Sequence, residues 1–377
     1  MSSDTPLVSV IIPAYNAATS IERTLQSILA QAYCHLEVLI VDDGSTDQTP
    51  EIVTTFAQQD DRIKLLHQAN AGVAAARNLA IAHAKGEFIA PIDADDIWYP
   101  ENIEKQVQCM VQGGNSVGLV YSWSVDIDES DALLGSFRAA KIQGNVYATL
   151  VCHNFLGNAS ASMMRRSCLE QVGGYDPTLR LQNAQGCEDW DLYLRIAAQY
   201  EFRVVPEFLV GYRKSTTSMS GDYTQMAQSH ALVMQAVRRQ QPKFPPFLFR
   251  LSSSNLYGYF AHQSHRCQDH RTTLYWLRKA IQADPVTPWI RIGFYLLLIQ
   301  NLLKLGQSQT PTATSIPLSS ISLIDIYQRK GAIALKLIVG NLFHRVVSHL
   351  AHAPQQQSQQ RAKQQQMGTP TNLPLQL

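Results

Sequence analysis

The sequence predicts an α/β fold, a doubly wound mixed sheet followed by a smaller α-helical domain, and three observations carry that expectation. Four short apolar runs alternate with segments of helical periodicity over the first hundred residues, the pattern of strand and crossover helix. Each run stops at a cluster of polar residues, where open α/β sheets bind ligands, beyond the carboxyl ends of their strands. Finally, the charge divides sharply along the chain: up to Gln225 there are 15 Lys and Arg against 27 Asp and Glu, and beyond it 16 against 3.

The first run, Leu7-Val8-Ser9-Val10-Ile11-Ile12, is closed by Pro13 and reads as a central strand buried on both faces. After Tyr15-Asn16 the period changes. Thr19 and Glu22 have capping-box spacing, and Ile21, Leu25, Ile28 and Leu29 recur along one helical face. A second strand is expected in Leu36-Glu37-Val38-Leu39-Ile40-Val41, ending in Asp42-Asp43-Gly44-Ser45-Thr46-Asp47. A third, Ile63-Lys64-Leu65-Leu66, leads through Asn70-Ala71-Gly72 into an alanine-rich helix that carries Arg77 and Asn78. The fourth, Phe88-Ile89-Ala90-Pro91-Ile92, runs into Asp93-Ala94-Asp95-Asp96. Three carboxylates within four residues repel one another at a partly buried strand end, which favours a cation in the site. A solvated acidic turn is the plain alternative, and the motifs upstream decide for a divalent metal that carries a diphosphate. Farther on, Glu188-Asp189-Trp190-Asp191 opens a mostly buried helix with Leu192, Leu194, Ile196 and Ala197, its acidic residues at the end where the helix dipole favours negative charge.

Taken in order, these motifs resemble the family 2 glycosyltransferases, whose nucleotide-diphospho-sugar binding fold is called GT-A. The matching residues are Val8 to Asn16, Val41 to Asp47, Asn70-Ala71-Gly72 with Ala76-Arg77-Asn78, Gly86-Glu87, Asp93 to Asp96, Trp98-Tyr99-Pro100 and Glu188-Asp189-Trp190. The resemblance spans residues 6 to 220.

It implies roles that physical reasoning can examine. Pro13, Ala14, Tyr15 and Asn16 would line the nucleotide pocket, with the Tyr15 ring stacked on the base. Asp43, or its neighbour Asp42, would accept a hydrogen bond from the base edge, although Asp-Gly is also an ordinary turn dipeptide. Arg77 would contact the nucleotide through charge-assisted hydrogen bonds, or else form a surface ion pair. At the acidic motif Asp95 would be the direct ligand of Mn2+ or Mg2+, Asp93 would serve the ribose or the metal's water shell, and Ala94 lies between them. Asp96 is assigned to capping the next turn. Asp189 would be the general base that removes the acceptor's proton in a single displacement, which inverts configuration. Glu188 would orient the base or the acceptor, Trp190 would offer an apolar platform to a sugar ring, and Asp191 is the alternative base if the helix is rotated. Relatives carry a histidine two residues beyond the Tyr-Arg pair. Here that position is Ser215, so Arg213 becomes the candidate phosphate contact.

Three parts are expected: a catalytic domain over 1–225, a basic helical domain over 226–350 and a Gln-rich, low-complexity tail over 351–377, with eight glutamines between Pro354 and Gln366. The acidic catalytic half excludes nucleic acid as a partner. Six cysteines without Cys-x-x-Cys spacing suggest reduced thiols, and the first residues show no signal-peptide layout, so a cytoplasmic location is expected. In the basic half, the run from Trp289 to Leu305 is interrupted by Arg291 and Gln300-Asn301, and 324–347 is a second amphipathic stretch. Such segments suit either mutual packing or peripheral contact with an anionic membrane. Between Leu256 and Pro285 a single tetratricopeptide-like helix pair is suggested by Tyr257, Ala261, Leu277 and Ala280.

The function expected is an inverting, metal-dependent transfer of a sugar from a nucleotide-diphospho-sugar, UDP-linked by preference, to a glycan or lipid-linked acceptor in cell-surface polysaccharide or glycoconjugate assembly. A catalytically silent nucleotide-sugar-binding module on the same fold is the alternative. A sugar nucleotidyltransferase would need a Gly-rich triphosphate loop where Pro13-Ala14-Tyr15-Asn16 stands.

Overall fold

The structure, a computed structural model, describes residues 5–214, 222–305, 333, 337–348 and 351. The four expected strands form as β1 (Val8–Ala14), β2 (Leu36–Asp42), β3 (Ile63–His67) and β4 (Phe88–Pro91), connected by α1 (Ile21–Leu29), α2 (Thr49–Gln59) and α3 (Val73–His83). All four pair in parallel, in the order β3-β2-β1-β4. Every β1 residue but Pro13 is buried, and the two faces feed two separate cores. Val10 and Ile12 pack with Ile21, Leu25 and Ile28 of α1, while Ile11 packs with Ala76 and Ala80 of α3. Helices on both sides explain why these strands read as continuous apolar runs instead of alternating ones.

The capping box expected from Thr19 and Glu22 does not form. Ser20 occupies the N-cap without a side-chain cap. Its hydroxyl donates instead to Ala94 O at 3.0 Å, and the Thr24 hydroxyl reaches Ala94 O and Asp96 O at 3.0 and 2.8 Å. Thus α1 uses its hydroxyl groups to hold the acidic turn.

Beyond β4 the sheet becomes mixed. β5 (Ile97–Trp98), α4 (Asn102–Gly113), β6 (Val117–Ile127), β7 (Leu133–Arg138), α5 (Tyr147–Cys152), β8 (Ser162–Arg165), α6 (Arg166–Val172), α7 (Thr178–Leu181), α8 (Glu188–Ala197) and β9 (Glu201–Arg213) follow. β8 inserts antiparallel between β4 and β6, β9 runs parallel to β6, and β5 and β7 pair antiparallel at the edges.

Four further helices are α9 (Tyr223–Gln240), α10 (Pro246–Arg266), α11 (His270–Ala283) and α12 (Ile292–Leu305). The boundary placed after 225 falls inside α9. One apolar cluster contains Leu150, Val151 and Trp190 together with Val233, Met234, Leu248, Leu256 and Phe260, so the C-terminal helices share the core of the sheet domain. The expected helix pair exists as α10 and α11: Ala261, Leu277 and Ala280 are buried, and Tyr257 stacks on Trp276 at 5.6 Å. The polar interruption in the 289–305 run has a structural reason. Asn301 is buried, donates to Leu297 O at 2.6 Å and meets His270 Nδ1 at 2.7 Å, which locks α12 to the hairpin. No helix among the described residues is long and apolar enough to cross a membrane. Ser215, half of 324–347 and residues 352–377 of the Gln-rich tail lie outside the described residues.

Candidate active site

The turns after β1, β2 and β4 and the start of α8 open onto one cleft of about 1330 Å³. Pro13, Ala14, Tyr15 and Asn16 line it, and Tyr15 is 53% exposed, free to offer its ring face. Asn16 takes a left-handed conformation, φ 49°, which asparagine tolerates better than most residues. Its amide oxygen accepts from Thr46 N at 2.8 Å and so ties the first motif to the second.

Of the two adjacent aspartates only Asp43 faces the cleft. Its carboxylate accepts from Gln68 Nε2, Ala71 N and Gly72 N at 2.6, 2.7 and 2.8 Å, fixing the Asn70-Ala71-Gly72 loop. Four lone-pair sites on a carboxylate leave one acceptor position for a ligand. Asp42 turns the other way, to Ser45 N and His67, and is removed from the candidate base contacts.

The acidic turn is pinned from below by Asp96, which is wholly buried. It accepts from Ser160 Oγ at 2.5 Å and Arg213 N at 2.8 Å, so it anchors the turn to β9 instead of capping Ile97-Trp98. Burial, with Asp95 and Asp93 nearby, holds its pKa well above the ordinary carboxylate value. Asp93 and Asp95 both line the cleft. Burial, reinforced by the charge of Asp93, raises Asp95 to about 6.

Arg77 of α3 is the centre of the arrangement. It is 3% exposed; Nη1 donates to Asp189 Oδ1 at 2.6 Å and Nη2 to Asp93 Oδ1 at 2.5 Å. Burial works against its charge, but Asp189 and Asp93 outweigh it and hold its pKa well above the ordinary value. The expected nucleotide contact is therefore a bridge between two acidic motifs. Tyr175 lies under the guanidinium, 5.0 Å from its carbon to the ring centroid.

At the start of α8, Asp189 faces the cleft and burial lifts its pKa to about 6 against the pull of Arg77. Glu188 is buried, accepts from Gly186 N at 2.8 Å and is likewise raised by burial. Asp191 pairs with Arg195 at 2.8 Å, outside the residues that line the cleft, so the helix is not rotated toward it. Trp190 is 6% exposed, donates to Leu150 O at 2.7 Å and packs on His230 at 5.0 Å. It buttresses α8 and does not present an open ring to a sugar.

Arg213 also departs from expectation. Its Nε donates to Asp95 O at 2.6 Å, and its two remaining nitrogens hold Asp128 O and Asp131. These bonds shape the acidic turn and occupy the guanidinium. Arg180 lines the cleft beside Asn70 and Gly72, and a Cβ on Gly72 would stand 2.7 Å from its Cδ.

The fold is the GT-A fold of glycosyltransferases. Residues 9–173 match the family model "Glycosyl transferase family 2". A glucosyltransferase of Escherichia coli, named for UDP-Glc and α-D-GlcNAc-diphosphoundecaprenol, is 40% identical over 137 residues, 36% of this chain and 52% of its own. The chain spans about half the length of several curated relatives that it matches. Among solved structures, residues 1–349 of Staphylococcus aureus TarS in complex with UDP-GlcNAc align with a TM-score of 0.53 and 18% identity over 80% of this chain and 93% of that one. A Pyrobaculum calidifontis mannosyltransferase with GDP-Man and Mn2+ aligns with a TM-score of 0.51 and 21% identity over 91% and 88%. At such identities these two likenesses establish the fold.

Proposed function

We propose that the chain is an inverting, divalent-cation-dependent hexosyltransferase that moves a sugar from a nucleotide diphosphate, UDP by preference, to a glycan or lipid-linked acceptor in surface-polysaccharide or glycoconjugate assembly. The observation that carries this reading is the single cleft in which Asp95, Asp93, Arg77 and Asp189 meet, with Tyr15 and Asp43 on the same wall. The donor and acceptor in the name of the E. coli relative agree with it.

The donor set suits Mn2+ or Mg2+. Asp93 and Asp95 would supply hard carboxylate oxygens, and phosphate and water oxygens would complete the shell. When bound, the cation neutralises charge that grows on the departing nucleoside diphosphate. The protein's own residues do the rest. Tyr15 stacks on the base, Asp43 accepts from its edge, and Arg213 holds the acidic turn through Asp95 O. Arg77 holds Asp189 toward the donor. Asp189 takes the acceptor hydroxyl's proton as that oxygen attacks the anomeric carbon from the side opposite the phosphate, and Glu188 orients the acceptor.

The test is release of nucleoside diphosphate from a panel of nucleotide sugars by the full chain with Mn2+, with and without chelator. Turnover that chelator abolishes supports the reading. Donor binding without release or transfer across acceptors would leave only a binding module.

Peripheral contact at the inner face of a membrane is part of the proposal. Leu296, Ile299, Leu302 and Leu303 of α12 are each more than half exposed, as are Ile338, Val339 and Leu342 of segment 337–348, all within the basic half. Exposed apolar helix beside positive charge favours an anionic bilayer. The full chain is expected to float with anionic liposomes but not with neutral ones, and Leu303→Glu to reduce flotation. Equal partitioning between the two liposome types would remove this part.

A further inference from the structure

One wall of the cleft is built by β7, the end of α5 and α10, and its charge is opposite to that of the acidic turn. Arg138 and His153 both line this wall. Arg291 reaches its rim by donating to Asn255 Oδ1 at 2.7 Å, and Asn255 is itself a lining residue. None of the three positions belongs to the motifs that carry the family resemblance.

The place of Arg138 is set by the backbone. Gly157 has φ +85°, and a Cβ there would stand 2.1 Å from Arg138 Cδ, so only glycine leaves room for the arginine stem. One nitrogen of Arg138 takes Asp126 Oδ1 at 2.7 Å, and its guanidinium carbon lies 5.1 Å from the centroid of Tyr212. That single carboxylate also receives Ser136 Oγ and stands 3.8 Å from Arg266, while Lys214 lies 4.4 Å from the Tyr212 centroid. Near this wall the carboxylates are Asp126, Asp284, Glu129 and the buried Asp96, set against Arg138, Arg266, Lys214 and Arg291, and no carboxylate of β7, α5 or α10 lines the cleft beside Arg138 and His153. His153 is exposed on the cleft beside the charges of Arg291 and Arg138, with an imidazole N–H to offer.

We propose that Arg138, His153 and Arg291 form a subsite for an anionic group on the acceptor, a phosphoryl or carboxylate next to the sugar that receives the new linkage. The proposal rests on the transferase reading above and narrows its acceptor class. Oxyanions draw charge-assisted hydrogen bonds from arginine and imidazole N–H groups, and Tyr259 and Phe155 on the same wall offer apolar surface to the attached ring.

The test uses the full chain saturated with UDP and Mn2+, which blocks the donor pocket. N-acetylglucosamine 1-phosphate, glucuronic acid and methyl glucoside are then titrated by ligand-observed NMR. At least one anion should bind about tenfold tighter than the neutral sugar, the yield of one net charge-assisted hydrogen bond. A preference for the phosphate points to a phosphoryl-linked carrier, and a preference for the carboxylate to an acidic sugar. His153→Gln with Arg291→Gln should remove that preference while the melting temperature stays within a few degrees. Equal affinity for the three sugars, no binding of either anion, or a preference that survives in the double variant would overturn the subsite. Nucleoside diphosphate release by the wild type is measured in parallel. Its absence would count against the transferase reading alone, because the anion preference is a binding measurement that needs no turnover.

Discussion

Asp189 stands between two demands. A general base must be ionised to accept a proton, yet burial raises its pKa to about 6 while Arg77 holds the carboxylate in place. Transfer should therefore rise with pH through about 6 and level off above it, because only the deprotonated form acts. Asp189→Asn should lower kcat by about 10²–10⁴-fold, the usual worth of a positioned base, with donor affinity by calorimetry little changed. A variant that turns over normally would assign the base elsewhere. Arg77 carries a separate prediction. Breaking a buried charge pair by removing one partner costs about 3–5 kcal/mol, and Arg77→Met strips two carboxylates at once, so thermal melting should fall sharply. Arg77→Lys keeps the charge but offers one ammonium where Nη1 and Nη2 now serve Asp189 and Asp93 separately. It should recover much of the stability and little of kcat. The place of Arg77 in the cleft was legible from its Ala-Arg-Asn motif, but its bridging of Asp189 and Asp93 was not. Its partner lies 112 residues away, and no local pattern announces such a pair.

At the scale of elements, β1 to β4 were readable because both faces of each central strand are covered locally by α1 and α3. β6 was not, for a physical reason. Tyr121, Trp123, Val125 and Ile127 alternate with Ser122, Ser124 and Asp126, which suggests one wet face, yet the whole strand is buried. Ser122 is covered by Asn102 and Gln106, Ser124 by Asn158, and Asp126 by Arg138, all supplied by other segments. Helix α9 shows a comparable hidden dependence, with a measurable consequence. His230 is buried against Trp190, exchanges a hydrogen bond with Ser252 at 2.8 Å, and burial lowers its pKa to about 4 from an ordinary value near 6.5. Because the folded value is depressed, its contribution is complete above pH 6.5 and is lost as pH falls toward and through 4. The loss approaches about 3 kcal/mol at 1.36 kcal/mol per pKa unit. Urea melts at several pH values should show stability declining from pH 6.5 to 4, and His230→Phe should remove the part of the slope due to this histidine. An unchanged slope would mean that His230 is hydrated in solution.

For the whole molecule, the division of charge at Gln225 suggested two domains, but charge reports on the surface while folding units are set by the core. The surfaces that meet across that boundary are apolar and specific: Tyr147 lies against Phe244 at 5.5 Å, Trp190 against His230 at 5.0 Å, and Asn255 Nδ2 donates to Cys152 O at 2.9 Å. Removing everything after residue 222 would uncover Tyr147, Leu150, Val151 and Trp190, which are buried in the intact chain. At about 1.5–3 kcal/mol for each large apolar side chain returned to water, four such losses total about 6–12 kcal/mol. A domain is stable by only about 5–15 kcal/mol, so the truncated chain should be unfolded or aggregated instead of active. The same sharing of core predicts that the intact chain unfolds in one calorimetric transition, with near-ultraviolet signals from the sheet and from the Trp276 region of α11 lost together. A soluble, well-melting fragment of residues 1–222, or two separated transitions in the full chain, would restore the independent catalytic domain that the charge pattern implied. In that case the wall carrying Asn255 and Tyr259 would be an attachment to the cleft and not part of its foundation.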